Sequence, residues 1–189
     1  MEFNGRLTVR NMRERLCNYT GFTLVELLVV ISIISLLSSI VFSSVNSARV
    51  KARDAKTVAD ISQLVLALNF AADTSGGVFP SSGGTWRCLG QTPAGQCWFQ
   101  GGGPYTGLDS LNNALTPYIN PIPRDPNPEA GCHGQAFYLY HSNYNDYAGV
   151  GTYIHWGYEN TATQCPGRAG VWSFGCGPYC ILYVGPPTT

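Results

Sequence analysis

The chain has 189 residues, the size of a single domain, and once an apolar stretch near its start is set aside the remainder is small enough to need covalent help in folding. Only 12% of its residues are charged and the formal net charge is zero, which excludes bulk nucleic-acid affinity.

Residues 1–21 carry Arg6, Arg10, Arg13 and Arg15 against Glu2 and Glu14, the composition of a segment kept on the cytoplasmic side. From Phe22 to Val45 the chain is apolar apart from small hydroxylated residues and one acid, Glu26. As a helix rising ~1.5 Å per residue, this run reaches about 36 Å, enough to span a bilayer. A carboxylate in such a helix costs up to roughly 3 kcal/mol on insertion scales, so Glu26 calls for a partner, and none is obvious in the lipid. A secretory signal would have a shorter apolar core and a small-x-small cleavage site. A plain anchor explains the length but not the acid.

The run from Gly21, G-F-T-L-V-E, preceded by Arg13 and Arg15, resembles the processing site of type IV prepilins and type II secretion pseudopilins. The resemblance implies that a membrane-embedded prepilin peptidase cuts after Gly21 and that the new Phe22 amine is methylated. It also implies that Glu26 pairs with the amine of a neighbouring subunit during filament assembly.

Beyond Val45 the pattern predicts that the helix continues. No Pro or Gly occurs from Ala48 to Ala72, and Val58, Ile61, Val65, Leu68 and Ala72 recur at three- and four-residue steps on one face. Gly76-Gly77 supplies a stop. The whole is about fifty residues, roughly 75 Å, apolar all round in its first half and amphipathic in its second. Ser43-Ser44 stand where many pilins carry a proline, so a straighter helix or melting at the serines is expected rather than a proline kink. Arg49, Lys51, Arg53 and Lys56 read as a solvated helix face beside lipid headgroups. They also equal the basic count of the leader, so charge alone does not orient the chain.

Val78-Phe79-Pro80 and the run from Leu115 to Asp125, L-T-P-Y-I-N-P-I-P-R-D, resemble the aromatic-proline step and the proline-rich turn of major pseudopilins. The resemblance makes the glycine-rich stretch up to Gly107 a connecting loop and Tyr138-Leu139-Tyr140 a strand. Ala136 to His141 and Val150 to Trp156 are aromatic and β-branched, and Ser142 to Gly149 between them reads as a long hairpin loop. Cys180 to Val184 adds a further strand signal. The expected fold is α+β, a long N-terminal helix packed on a small antiparallel sheet, with residues 1–21 as leader, 22–45 as membrane and assembly helix, 46–76 as its amphipathic continuation and 77–189 as the globular body.

Cys17 falls in the leader, whereas Cys88, Cys97, Cys132, Cys165, Cys176 and Cys180 all follow the membrane segment, as expected of a disulfide-bonded body on the extracytoplasmic side. Six cysteines allow fifteen pairings. Short-range closure favours Cys88 with Cys97 and Cys176 with Cys180, leaving Cys132 for Cys165. Zinc on Cys132, His133, His141, His155 and the C-terminal cysteines is disfavoured because the usual Cys-x-x-Cys spacing is missing. Asp125, Asn127 and Glu129 alternate in a way that suits calcium, but the interleaved prolines favour a plain turn.

Trp86, Trp98, Trp156 and Trp172 read as core in preference to a sugar-stacking surface. No nucleophile with a paired base appears, and Gly101-Gly102-Gly103-Pro104 lacks the lysine of a phosphate loop. The reading is a non-enzymatic filament subunit whose partners are copies of itself, prepilin peptidase, an assembly platform and the membrane before assembly. The alternative is a membrane-tethered tip adhesin or carbohydrate-binding domain.

Overall fold

The computed structural model describes residues 21–92, 95–99, 103–126, 138–157, 165, 170–173 and 178–188. Helix α1 spans Leu24–Thr74 and is followed by β1 (Arg87–Cys88), β2 (Gln96–Phe99), β3 (Gly103–Thr106), α2 (Asp109–Leu115), β4 (Leu139–Asp146), β5 (Gly149–Gly157), β6 (Gly170–Ser173) and β7 (Pro178–Gly185). The chain divides between Ser43 and Ser44 into two compact units. The fold is α+β, a long N-terminal helix with a mixed sheet.

In the first unit α1 is an apolar rod. Leu24, Leu27, Ile31, Ile34, Leu37 and Val41 are all exposed, together with nearly every other side chain up to Ser43. The hydroxyls of Ser32 and Ser35 donate to the Leu28 and Ile31 carbonyls, each at 2.7 Å, and that of Ser39 to the Leu36 carbonyl at 2.8 Å. These serines therefore satisfy themselves within the helix and present little polarity to lipid. The helix runs unbroken through Ser43-Ser44, so melting at the serines does not occur.

In the second unit α1 buries Ile61, Leu64, Ala67, Leu68, Ala71 and Ala72 against Phe79, Leu89, Leu111, Leu115, Tyr138, Tyr140, Ile154 and Trp156. Val58 and Val65 lie on the flank of this stripe and are half-buried. The helix ends in a Schellman arrangement: the Gly77 N–H donates to the Ala72 carbonyl at 2.8 Å and the Gly76 N–H to Asp73 at 3.4 Å. Gly76 adopts φ +74°, a left-handed conformation that side-chain-bearing residues rarely take.

Among the described residues the sheet has seven strands in the order β2-β3-β1-β4-β5-β7-β6. It departs from the expected pattern in three places. The glycine-rich stretch read as connecting loop forms β1, β2 and β3, and β1 pairs with β3 in parallel while the other pairs are antiparallel. The hairpin loop is also short, since β4 continues to Asp146, which pairs with Gly149 across Tyr147-Ala148. Gly149 at φ +88° supplies the left-handed residue that such a tight turn needs. Finally, a bulge sets Ser142 and Asn143 opposite Thr152. Ser82 clamps it, its N–H donating to the Ser142 Oγ at 3.0 Å and its own Oγ accepting from the Ser142 N–H at 3.1 Å.

The second face of the sheet carries an aromatic layer. Trp86 packs on His141, Tyr144 and His155 at ring separations of 5.3, 4.8 and 5.7 Å, and Tyr153 meets both Tyr144 and Tyr183. Trp156 lies wholly inside the helix-side core, as expected of a large aromatic. The side chains of Trp98 and Trp172 lie outside the described residues.

Disulfides join Cys88 to Cys97 and Cys165 to Cys180, with Cα separations of 6.3 and 5.7 Å. The second corrects the pairing favoured by short-range closure, in which Cys180 went to Cys176 and Cys165 to Cys132. Cys180 points into the core from β7, whose register against β5 sets Cys180 opposite Trp156. A cysteine there is reached by a chain packed on that face, so spatial position overrides sequence distance. Cys132 and Cys176 lie outside the described residues, as do Cys17, His133, Asn127 and Glu129.

Candidate functional site

The head of the chain is where the expected functional residues meet. Gly21 and Phe22 precede the helix in non-helical backbone, and Phe22 is 79% exposed. A Cβ placed on Gly21 would meet nothing within 4 Å, so the fold itself makes no demand for glycine there.

Thr23 caps α1. The Glu26 N–H donates to the Thr23 Oγ1 at 3.2 Å, while the Glu26 Oε2 accepts from the Thr23 N–H at 3.0 Å and from the Thr23 hydroxyl at 2.8 Å. This is a capping box, which satisfies two helix-end donors reciprocally and sets a negative charge at the positive end of the helix dipole. Glu26, for which lipid offers no obvious partner, is engaged within the chain, where Thr23 holds one carboxylate oxygen. Thr23 escaped the sequence reading, although the T-x-x-E spacing before an apolar run was a signal that could have found it.

A second polar cluster lies where α1 meets the sheet. Asp60, 6% exposed, accepts from the Tyr138 hydroxyl at 2.9 Å and pairs with Lys56 one turn earlier. Burial, then the charges of Asp125 and Asp60, push the Tyr138 phenol far above its ordinary range, so it stays protonated and remains a donor. Asp125 is buried at 4% exposure beside this cluster rather than standing in an open turn. Among the described residues no group of three or more His, Cys, Asp or Glu side chains is arranged to hold a metal ion. His141 lies in the aromatic layer, where its Nδ1 accepts from the Asn143 N–H at 3.1 Å.

Residues 17–42 match the family description "prokaryotic N-terminal methylation motif". No curated protein and no solved structure matches the chain. The match covers Gly21, Phe22, Thr23 and Glu26 together with most of the exposed apolar half of α1. The motif implies processing by prepilin peptidase and pilus-type assembly in general, and the family that carries it is one of structural subunits rather than enzymes. The N-terminal half of α1, long and apolar enough to cross a membrane, thus bears the signature of type IV pilins and pseudopilins.

Proposed function

We propose that the chain is a filament subunit, cut between Gly21 and Phe22, methylated on the Phe22 amine, and polymerised through the Phe22–Val45 helix into a type IV pilus or a type II secretion pseudopilus. The observation that carries this reading is the exposed apolar first half of α1 with a carboxylate at its head, inside the methylation motif. Before assembly that helix resides in lipid, with residues 1–21 in the cytoplasm and the body at 77–189 outside. Afterwards the same surface packs against other copies, and Glu26 meets the Phe22 amine of a neighbour. Residues 46–76 tie the assembly segment to the body.

Intact-mass analysis of the membrane-extracted protein, together with electron microscopy of sheared surface filaments, tests the proposal. A mature chain beginning at methylated Phe22 and recovered as the dominant subunit of filaments is the expected result. An N-terminus beyond Val45 would mean a secretory signal, and scarcity in the filaments would mean a tip protein. The burial of Trp156, Tyr138, Tyr140 and Tyr153 argues against a sugar-stacking platform built from them.

A further inference from the structure

The amphipathic part of α1 sorts its charges by sign. Asp54 and Asp60 are buried, at 5% and 6% exposure, and Asp60 is held by Tyr138 and Lys56. Arg49 and Lys51 are exposed, as is Lys56, whereas Arg53 is half-buried and engaged elsewhere. After Glu26 the next exposed carboxylate on the helix is Asp73. In the sequence, four bases in this stretch are diluted by two acids. In the fold the acids turn into the body, and the solvent face keeps only cations. Between them stand Ala48, Ala52 and Ala55, all exposed and too short to screen the charges.

At ~1.5 Å per residue, Arg49 and Lys51 stand about 6–9 Å beyond Val45 along the helix, and Lys56 about 17 Å. The headgroup layer on each side of a bilayer is roughly 5–8 Å deep, and long basic side chains reach several ångströms along a helix toward it. We propose that Arg49 and Lys51 form a cationic collar that binds the phosphates of anionic phospholipids while the chain resides in the membrane as a monomer. This rests on the reading of Phe22–Val45 as the membrane segment. A second copy of the same helix in register fits the collar poorly, because it would set cation against cation.

The test uses the full chain in neutral detergent with an equimolar mixture of phosphatidylglycerol and phosphatidylcholine of identical acyl chains, bound lipids being counted by native mass spectrometry. Arg49 and Lys51 should each favour the anionic lipid about fivefold, so the wild-type adduct ratio should be roughly twenty-five, K51Q should lower it to about five, and R49Q/K51Q should bring it near one. Unchanged disulfide-linked peptides show that the variant bodies are folded. A wild-type ratio near one, or a ratio unmoved in R49Q/K51Q, overturns the proposal. So do lipid-free dimers that the double variant dissolves while the lipid ratio stays constant, an outcome that would assign the cations to a second copy. The same spectra give the N-terminus, so a chain beginning beyond Val45 would report failure of the membrane reading separately.

Discussion

The Glu26 carboxylate accepts from both the main-chain N–H and the hydroxyl of Thr23, at 3.0 and 2.8 Å, so the one charge in the apolar half of α1 is tied to the first turn of its own helix. Replacing Thr23 by alanine removes the hydroxyl while leaving the backbone donor. Loss of such a cap typically costs ~0.5–2 kcal/mol, so in micelles the Glu26 amide should exchange with solvent roughly two- to thirtyfold faster, whereas Thr23→Ser should stay close to wild type. Equal protection in Thr23→Ala and wild type would show that the hydroxyl contributes nothing.

The Cys165–Cys180 link should appear as a joined peptide pair in a non-reducing digest, with Cys88 joined to Cys97. Each closes a short loop, with separations of 15 and 9 residues. Bridges of this length stabilise by about 3 kcal/mol in the chain-entropy account. Cys165→Ala with Cys180→Ala should lower the denaturant midpoint accordingly with little change in slope. A digest joining Cys180 to Cys176 would refute the pairing.

Burial holds the His141 imidazole below its ordinary range, and a hydrogen bond with the Gly84 backbone opposes this only in part. A histidine with a depressed folded-state pKa binds its proton more readily when unfolded. Its contribution to stability is therefore present above the unfolded value near 6.5 and declines as pH falls below it. Protonation would also remove the acceptor used by the Asn143 N–H. The midpoint of thermal unfolding should drop between pH 7.5 and 5.5, and His141→Gln should flatten that dependence. A slope identical in the variant would assign the effect to other groups.

The long helix was legible because its signals are local: three- and four-residue apolar steps, no breaker, and two glycines at the stop. The β4–β5 hairpin and β7 were legible for a similar reason, as aromatic and β-branched runs. What was hidden depends on partners distant in sequence. Arg87-Cys88 becomes a strand only because Thr106 and Tyr140 flank it, and the Asn- and Asp-rich end of β4 stays extended because Gly149–Gly151 pair with it. The outward bias of the helix charges was hidden too, since burial of Asp54 and Asp60 follows from how the body packs and not from their spacing to Arg49 or Lys51. At the head of the chain Gly21, Phe22 and Glu26 stood out by motif. Thr23 did not, although its T-x-x-E spacing to Glu26 is a local capping signal, because the motif drew the reading to the glycine, the phenylalanine and the acid.

Glu26 carries the strongest prediction. In the monomer its charge is partly satisfied by Thr23, so the chain tolerates it at the head of a membrane helix. In a filament the same carboxylate would face the Phe22 amine of another copy in a low-dielectric surround, where the attraction offsets desolvation only when both charges are present. Glu26→Leu removes one of them and leaves the apolar half of α1 without a charge. It should leave cleavage at Gly21-Phe22 intact, keep the protein in the membrane fraction, and lower filament yield at least about tenfold, as expected when a pairing of ~1.4 kcal/mol or more per subunit is lost. Glu26→Gln, which keeps an acceptor for Thr23 but loses the charge, should fail in assembly almost as badly, and this separates the capping role from the pairing role. Yield, N-terminal mass and membrane partition measured on the same cultures decide the matter: normal filaments from Glu26→Leu subunits would eliminate charge pairing, and normal filaments from Glu26→Gln alone would leave hydrogen bonding, not charge, as the determinant of register.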